Sequence, residues 1–359
     1  MIAVQNNTQL KSINTLLIKS AIAESAMITK PQLAKKLDLS LVTVNKLVDE
    51  LVARKEILDM GQTESTGGRK AKLYTLNKDY NSMLAVLIRN DMAYLSIVNL
   101  IGETCYKTSF PYCDDWIYRL KDYIFIEDLP PVACVGVAIP GTVLNGIIKN
   151  VPSIPKLEGV PLEEVLKKEL KLPVLIENDI NIAALGTHRA LIAHQKETCT
   201  KENQMTEPPM TENHINENDA SNMVLIYVNK GVGMGIILKN QIYQSIRNFA
   251  GELAYMYLGD DYKNIEQYII NCLKSGEIMN ALDALSKIIA NVCCVLDPDM
   301  VVIDSPILKQ EHISVIESGI SAITGQDFLP RLELLSSNEE VYHQGLYFLY
   351  MERENLYRR

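Results

Sequence analysis

What this sequence lacks narrows its class before any motif is read. No run approaches eighteen consecutive apolar residues, so neither a membrane span nor a membrane partner is expected. The N-terminus, MIAVQNNTQLKS, has no basic region followed by an apolar stretch and a cleavage site, which argues against a secretory signal. The seven cysteines are odd in number and scattered, and the adjacent Cys293-Cys294 is not a CxxC pair. That pattern fits neither a disulfide framework nor a thiolate metal site, and suits the reduced thiols of a cytoplasmic protein. His194 and His214 have no metal-ligand spacing, so no metal and no cofactor is expected. Basic charge is also missing from most of the chain. Residues 81–359 hold 23 Lys+Arg against 36 Asp+Glu, whereas residues 1–80 hold 12 against 8. A basic head on an acidic body points to a polyanion met by the head alone.

What is present begins with three helical patterns. Ser12–Ala23 carries Ile13, Leu16, Leu17 and Ala21 at helical spacing. Thr29 is placed to cap a second helix with Pro31 in its first turn, and Ser40 to cap a third over Leu41–Arg54. Val44, Leu47, Val48 and Leu51 make the third an amphipathic helix, and the short break Asp38-Leu39-Ser40 suits a helix-turn-helix. Two strand patterns follow, Ile57–Met60 and Arg69–Leu76, around a Gly-containing polar loop. The whole reads as a winged helix-turn-helix over residues 1–80, with double-stranded DNA as its partner. Ser40, Val42, Thr43, Asn45 and Lys46 would face the major groove, with Thr43 and Asn45 at base edges and Lys46 nearer phosphate. Arg69 and Lys70 on the wing would reach a backbone or minor groove. The alternative is a packing module with a solvated basic face.

From Met83 the period changes to that of strands: Met83–Ile88, Ala93–Val98 and Thr104–Ser109 form a meander. Trp116–Ile126 reads as a helix, Val132–Ile139 as a buried strand, and Asn145-Gly146 as a hairpin turn. The stretch Val174–Thr187 ends an apolar run in Glu177-Asn178-Asp179 and then opens a small-residue helix, which suits the mouth of an α/β cleft. Lys196–Asn222 is polar, contains Pro208-Pro209, and reads as a mobile surface insertion. Gly231, Gly233 and Gly235 follow a strand, but another strand comes next, so a dinucleotide fingerprint does not fit. A strand–glycine–strand hairpin suits either a phosphate cradle or simply a tight turn.

Six motifs in order carry a resemblance: TGGRKAKLYTLN (66–77), GVAIPGTV (136–143), ENDINIAALG (177–186), KGVGMGI (230–236), AGELAY (250–255) and LDPDMVVID (296–304). With them the chain resembles the ROK family of repressors and sugar kinases, in the branch that joins a winged helix to a kinase-like body. The resemblance implies an α/β fold: a winged helix-turn-helix followed by an actin-like (ribonuclease H-like) two-lobed body over residues 81–359. It implies a ligand site of Asn178, Asp179, Glu252, Tyr255 and Glu266, with Gly141 and Thr142, in which Asp179 stands at the position of the kinases' catalytic base. The family's Asp-x-Gly-x-Thr phosphate loop is replaced by Leu87-Ile88-Arg89-Asn90-Asp91, its Gly-Thr-Gly hairpin by Asn229-Lys230-Gly231, and its paired glycines by Asp304-Ser305. Its zinc-site histidine is Tyr255, and the cysteine loop has no cysteine. These losses remove the phosphate positioning on which phosphoryl transfer depends. The expectation is therefore a non-enzymatic regulator, a repressor by family habit, acting as a homodimer or higher homo-oligomer. Its body would sense a sugar or sugar phosphate. The alternatives are a regulator controlled by a protein partner and an active sugar kinase.

Overall fold

The computed structural model describes residues 2–62, 71–202, 221–259, 264–336 and 338–357. The chain divides into two compact units. One comprises Met1–Val137, Glu163–Leu175 and Leu349–Arg359, and the other Ala138–Leu162 and Ile176–Phe348.

The N-terminal elements are α1 (Ile2–Ser25), β1 (Ile28–Thr29), α2 (Lys30–Leu37), α3 (Leu41–Ala53), β2 (Ile57–Gln62) and β3 (Lys72–Leu76). The three strands pair antiparallel in the order β1-β3-β2. Helix α1 is longer than the sequence pattern marks, and β1 has no pattern of its own. Its two residues pair with Tyr74 and Leu73. Capping fixes the helix boundaries. Thr29 and Gln32 form a reciprocal capping box at α2, whose C-cap Asp38 is left-handed at φ 50°, and the Thr43 N–H donates to Ser40 Oγ at 3.1 Å. Ile18, Ile22, Leu33, Val44, Leu47, Val48, Leu51 and Ile57 are buried as one apolar set. Lys19 and Glu56, both buried, pair at 3.2 Å, and the Arg54 guanidinium adds a second contact to Glu56.

Next come β4 (Ser82–Arg89), β5 (Met92–Asn99) and β6 (Thr104–Pro111), an antiparallel meander. The β4–β5 turn is the two residues Asn90 and Asp91, both at positive φ, the tight geometry that follows the strand twist. Helix α4 (Trp116–Leu120) gives way to a 3-10 turn at Lys121–Tyr123, shorter than the single helix expected to Ile126. The aromatic and β-branched residues Tyr123–Ile126 are weak helix formers, and Pro130-Pro131 follows. Then come β7 (Val132–Ile139), the hairpin β8 (Thr142–Leu144) and β9 (Ile147–Lys149), α5 (Leu162–Leu170), β10 (Val174–Asn178) and α6 (Asp179–Glu202). The first five-stranded sheet has the order β10-β7-β4-β5-β6.

Helix α6 runs into the expected insertion. Helix continues through Glu202, seven residues into the polar stretch, because no Gly or Pro interrupts the sequence between Gly186 and Pro208. Residues 203–220 of that stretch lie outside the described residues.

The second unit continues with β11 (Met223–Val228), β12 (Val232–Leu238), β13 (Gln241–Ile242), α7 (Ile265–Ser275), α8 (Ile278–Leu296), β14 (Met300–Asp304), α9 (Gln310–Thr324), β15 (Arg331–Leu335) and the first part of α10 (Glu339–Tyr357), whose residues from Leu349 on belong to the first unit. Its sheet order is β13-β12-β11-β14-β15. The first three strands are antiparallel, and β14 and β15 run parallel to β11. Both five-stranded sheets therefore consist of a three-strand meander with two later strands added beside its first strand. Helix α8 meets the length and composition of a membrane span. Its Ala281, Leu282, Leu285, Ile288, Ile289 and Val292 are buried with α7, α9 and the sheet in the core of this unit.

Candidate functional site

The body residues singled out from the sequence all fall in the second unit. Strand β10 delivers Glu177 and Asn178, and α6 starts at Asp179. The Asn178 side chain acts as a clasp. Its Oδ1 accepts from the N–H groups of Ile180 (2.9 Å) and Asn181 (3.0 Å), and its Nδ2 donates to Gly141 O at 2.8 Å. An amide side chain has about four hydrogen-bonding positions, and these contacts use three. The Asn178 expected to contact ligand therefore has one N–H left for that purpose. It caps α6 and holds the Gly141 turn. Gly141 is required there: its φ is +96°, and a Cβ would stand 2.7 Å from Lys149 O.

Asp179 is buried in the first turn of α6, where the helix dipole favours a carboxylate, and its Oδ1 accepts from the Ile180 N–H at 3.0 Å. The neighbouring Glu177 is more deeply buried. Its Oε1 accepts from the Asn178 N–H and from Asn181 Nδ2, both at 3.0 Å, and its Oε2 accepts from Gln244 Nε2. Glu177 stands in the polar cluster marked from the sequence, but no site role was expected for it, for Asn181 or for Gln244. An acid inside an otherwise apolar strand is a usable signal for Glu177. Nothing local marks Gln244, which arrives from 67 residues away.

Thr142, at the start of β8, is buried and donates to Glu252 Oε1 at 2.9 Å. The loop that carries Glu252 is pressed onto β12. Gly251 has φ +98°, Met234 N–H donates to its carbonyl at 3.0 Å, and a Cβ on it would lie 2.1 Å from Met234 O. Asn248 Nδ2 ties the same loop to Val143 O. Burial raises the Glu252 carboxyl above the usual carboxylate range. The Thr142 bond acts in the opposite direction, and the nearby charge of Glu266 adds to the rise. Glu266, in the first turn of α7, accepts from the Val232 N–H at 2.9 Å. Tyr255 is 62% exposed, with its ring 5.2 Å from that of Phe249. Carboxylates, amides and a hydroxyl thus make up this set, a chemistry suited to donors such as sugar hydroxyls.

The glycines of KGVGMGI have a packing role. A Cβ on Gly233 would lie 2.3 Å from Ile180 Cδ1, and one on Gly235 2.7 Å from Ile180 O and 2.6 Å from Ala184 Cβ. They let α6 lie against β12, a packing role that is neither the phosphate cradle nor the tight turn expected from the sequence. Gly186 and Gly345 do the same between α6 and α10. A Cβ on either would meet a backbone carbonyl of the other helix at 2.0–2.1 Å.

In the head, Val42 is 78% exposed and Lys46 is exposed, while Asn45 and Thr43 are half-buried. Ser40 is occupied as the cap of α3, and its hydroxyl lies 2.8 Å from that of Thr43. Arg69 and Lys70 lie outside the described residues.

The ROK family's sequence profile matches residues 125–201. A xylose repressor of Caldicellulosiruptor bescii is 25% identical over 292 residues, which is 77% of this chain and 65% of that protein, just under two thirds of its length. Among solved structures, a ROK-family transcriptional regulator homologous to the Escherichia coli Mlc protein superposes with a TM-score of 0.68 at 18% identity, covering 97% of each chain. A putative N-acetylmannosamine kinase from Listeria monocytogenes superposes with a TM-score of 0.58 at 17% identity, over 76% of this chain and 99% of its own. Residues 125–201 match the ROK family, and the chain has the fold of a ROK-family transcriptional regulator over nearly its whole length.

Proposed function

We propose that this protein is a DNA-binding transcriptional repressor of sugar metabolism, whose body senses a sugar or sugar phosphate without phosphorylating it. Residues 1–80 serve as a winged helix-turn-helix and 81–359 as the two-lobed sensing and dimerising body. The observation that carries the reading is the pairing of Thr142 with Glu252 at 2.9 Å, in the unit that also sets Asp179 at the start of α6, within a chain similar to a sugar repressor. Glu252, Thr142, Asp179 and the open side of Glu266 accept ligand hydroxyls, and Tyr255 borders them. Asn178 and Gly141 hold the geometry.

The same observations support a sensor over a kinase. The body opens with the tight Asn90-Asp91 turn, which has no glycine and no hydroxyl for a metal-bound phosphate. Asp179 then accepts hydrogen bonds from the effector and abstracts nothing. On the DNA side, the exposed start of α3 with Val42, Thr43, Asn45 and Lys46 enters the major groove, with Arg69 and Lys70 on the wing. Pairing of two chains presents two heads to paired half-sites in the cytoplasm. Effector binding alters operator affinity because it favours one conformation over another, and the coupling is reciprocal.

The test is thermal denaturation across a carbohydrate panel. A sugar or its phosphate raises Tm, and Asp179→Ala and Glu252→Ala abolish the shift. A panel without any shift sinks the sensing role. It would favour control by a protein partner, for which the exposed Ile246, Phe249, Tyr255 and Tyr257 offer an apolar surface.

A further inference from the structure

Two backbone loops leave the same end of the second unit's sheet, one after β11 and one after β14, which are parallel neighbours. Loops at the carboxyl ends of such strands are where α/β proteins take ligands, and their backbone N–H groups suit anions. Here side chains of the chain itself fill donors in both. After β11, the Val232 N–H donates to Glu266 Oε1 at 2.9 Å. Gly231 permits the approach, since a Cβ there would already be 3.0 Å from that oxygen. After β14, Ser305 Oγ accepts from the N–H groups of Ile307 and Leu308, both at 3.2 Å.

We propose that Glu266 determines effector specificity: its carboxylate sits on the hairpin donor that a phosphate would use, so the effector is an uncharged sugar and not a sugar phosphate. The inference rests on the sensing role proposed above and narrows it. Oε1 is committed to the hairpin, while the other carboxylate oxygen remains an acceptor for a hydroxyl. An anionic substituent entering here meets the Glu266 charge, a nearby second carboxyl at Glu252, and an N–H already paired. A hydroxyl meets only acceptors, which is the pairing it needs. Lys230, exposed in the hairpin, is the nearby cation in sequence, but its charge does not displace the Glu266 carboxylate from the Val232 N–H in this structure.

The test uses the full-length chain and inorganic phosphate as the probe, with affinity read from phosphorus NMR titration or Tm. Glu266→Gln keeps an acceptor for the Val232 N–H and removes the charge. Glu266→Ala removes the charge and also frees the Val232 N–H. Both variants should bind phosphate about ten-fold or more tightly than the parent protein, the scale expected for relief of one close like-charge contact. Equal affinity of the parent and both variants overturns the proposal. A second arm compares a sugar that stabilises the parent protein with the phosphate ester of that sugar. The free sugar should give the larger Tm rise, and a larger rise from the ester overturns the proposal. If no sugar of either kind shifts Tm, the sensing role fails, while the phosphate comparison still decides the role of Glu266.

Discussion

Substitution of Asn178 separates a structural clasp from a simple ligand contact. Its carboxamide caps two N–H groups of α6 and donates to Gly141 O at 2.8 Å. Removing an N-cap acceptor costs about 1 kcal/mol, and leaving the part-buried Gly141 carbonyl without its donor costs about another 1 kcal/mol. Asn178→Ala should therefore destabilise the ligand-free protein by about 2 kcal/mol, or about 4–8 °C in Tm for a unit of this size. Asn178→Ser retains a good cap but lacks the donor that reaches Gly141, so its loss should be about half as large. Differential scanning fluorimetry or calorimetry without ligand reads both. If Asn178→Ala melts with the parent protein, the clasp is energetically idle and the residue's role lies with the ligand after all.

Three further perturbations test other parts of the account. Glu252→Gln retains the acceptor for Thr142 and removes a carboxyl whose pKa is raised above 4.5, first of all by burial. A raised folded-state pKa means that the group's contribution to stability is full below 4.5 and is lost as pH rises through the folded value. In a Tm–pH series, the parent protein should lose ground to the Gln variant across the weakly acidic range, and a constant gap would contradict the burial argument. Gly345→Ala places a methyl 2.1 Å from Ile182 O, and the resulting overpacking should cost on the order of 3 kcal/mol, measured by chemical denaturation; a silent substitution would mean that α6 and α10 do not pack this closely. Lys46→Ala should weaken operator binding similarly for all sequences and reduce the slope of log affinity against log salt by about 1. An unchanged slope would take the start of α3 away from the phosphates.

Much of the fold is legible locally, because its signals are local. Thr29 and Ser40 mark helix starts with their own hydroxyls, Asn145-Gly146 marks a hairpin through its positive φ values, and the change of period at Met83 announces a sheet. The end of α6 is less legible, since polarity resembles a loop while the absence of Gly and Pro lets helix continue to Glu202. The site is legible in its acids and not in its partners. Gln244 reaches Glu177, Asn248 reaches Val143 and Glu252 reaches Thr142 across long sequence separations, which only the folded chain brings together. The glycines of KGVGMGI have the spacing of a phosphate loop, but what Gly233 and Gly235 make room for is Ile180 and Ala184 on a helix elsewhere in the chain.

The most direct test of the central claim is fluorescence anisotropy of an operator fragment selected from genomic DNA, titrated with the protein in the presence and absence of a stabilising sugar. Specific binding that the sugar weakens is expected, without ATP and without conversion of the sugar, together with a Glu252→Ala variant that binds the operator but no longer responds. Operator binding that no sugar alters, or ATP-dependent phosphorylation of the sugar lost in Asp179→Ala, would contradict that claim.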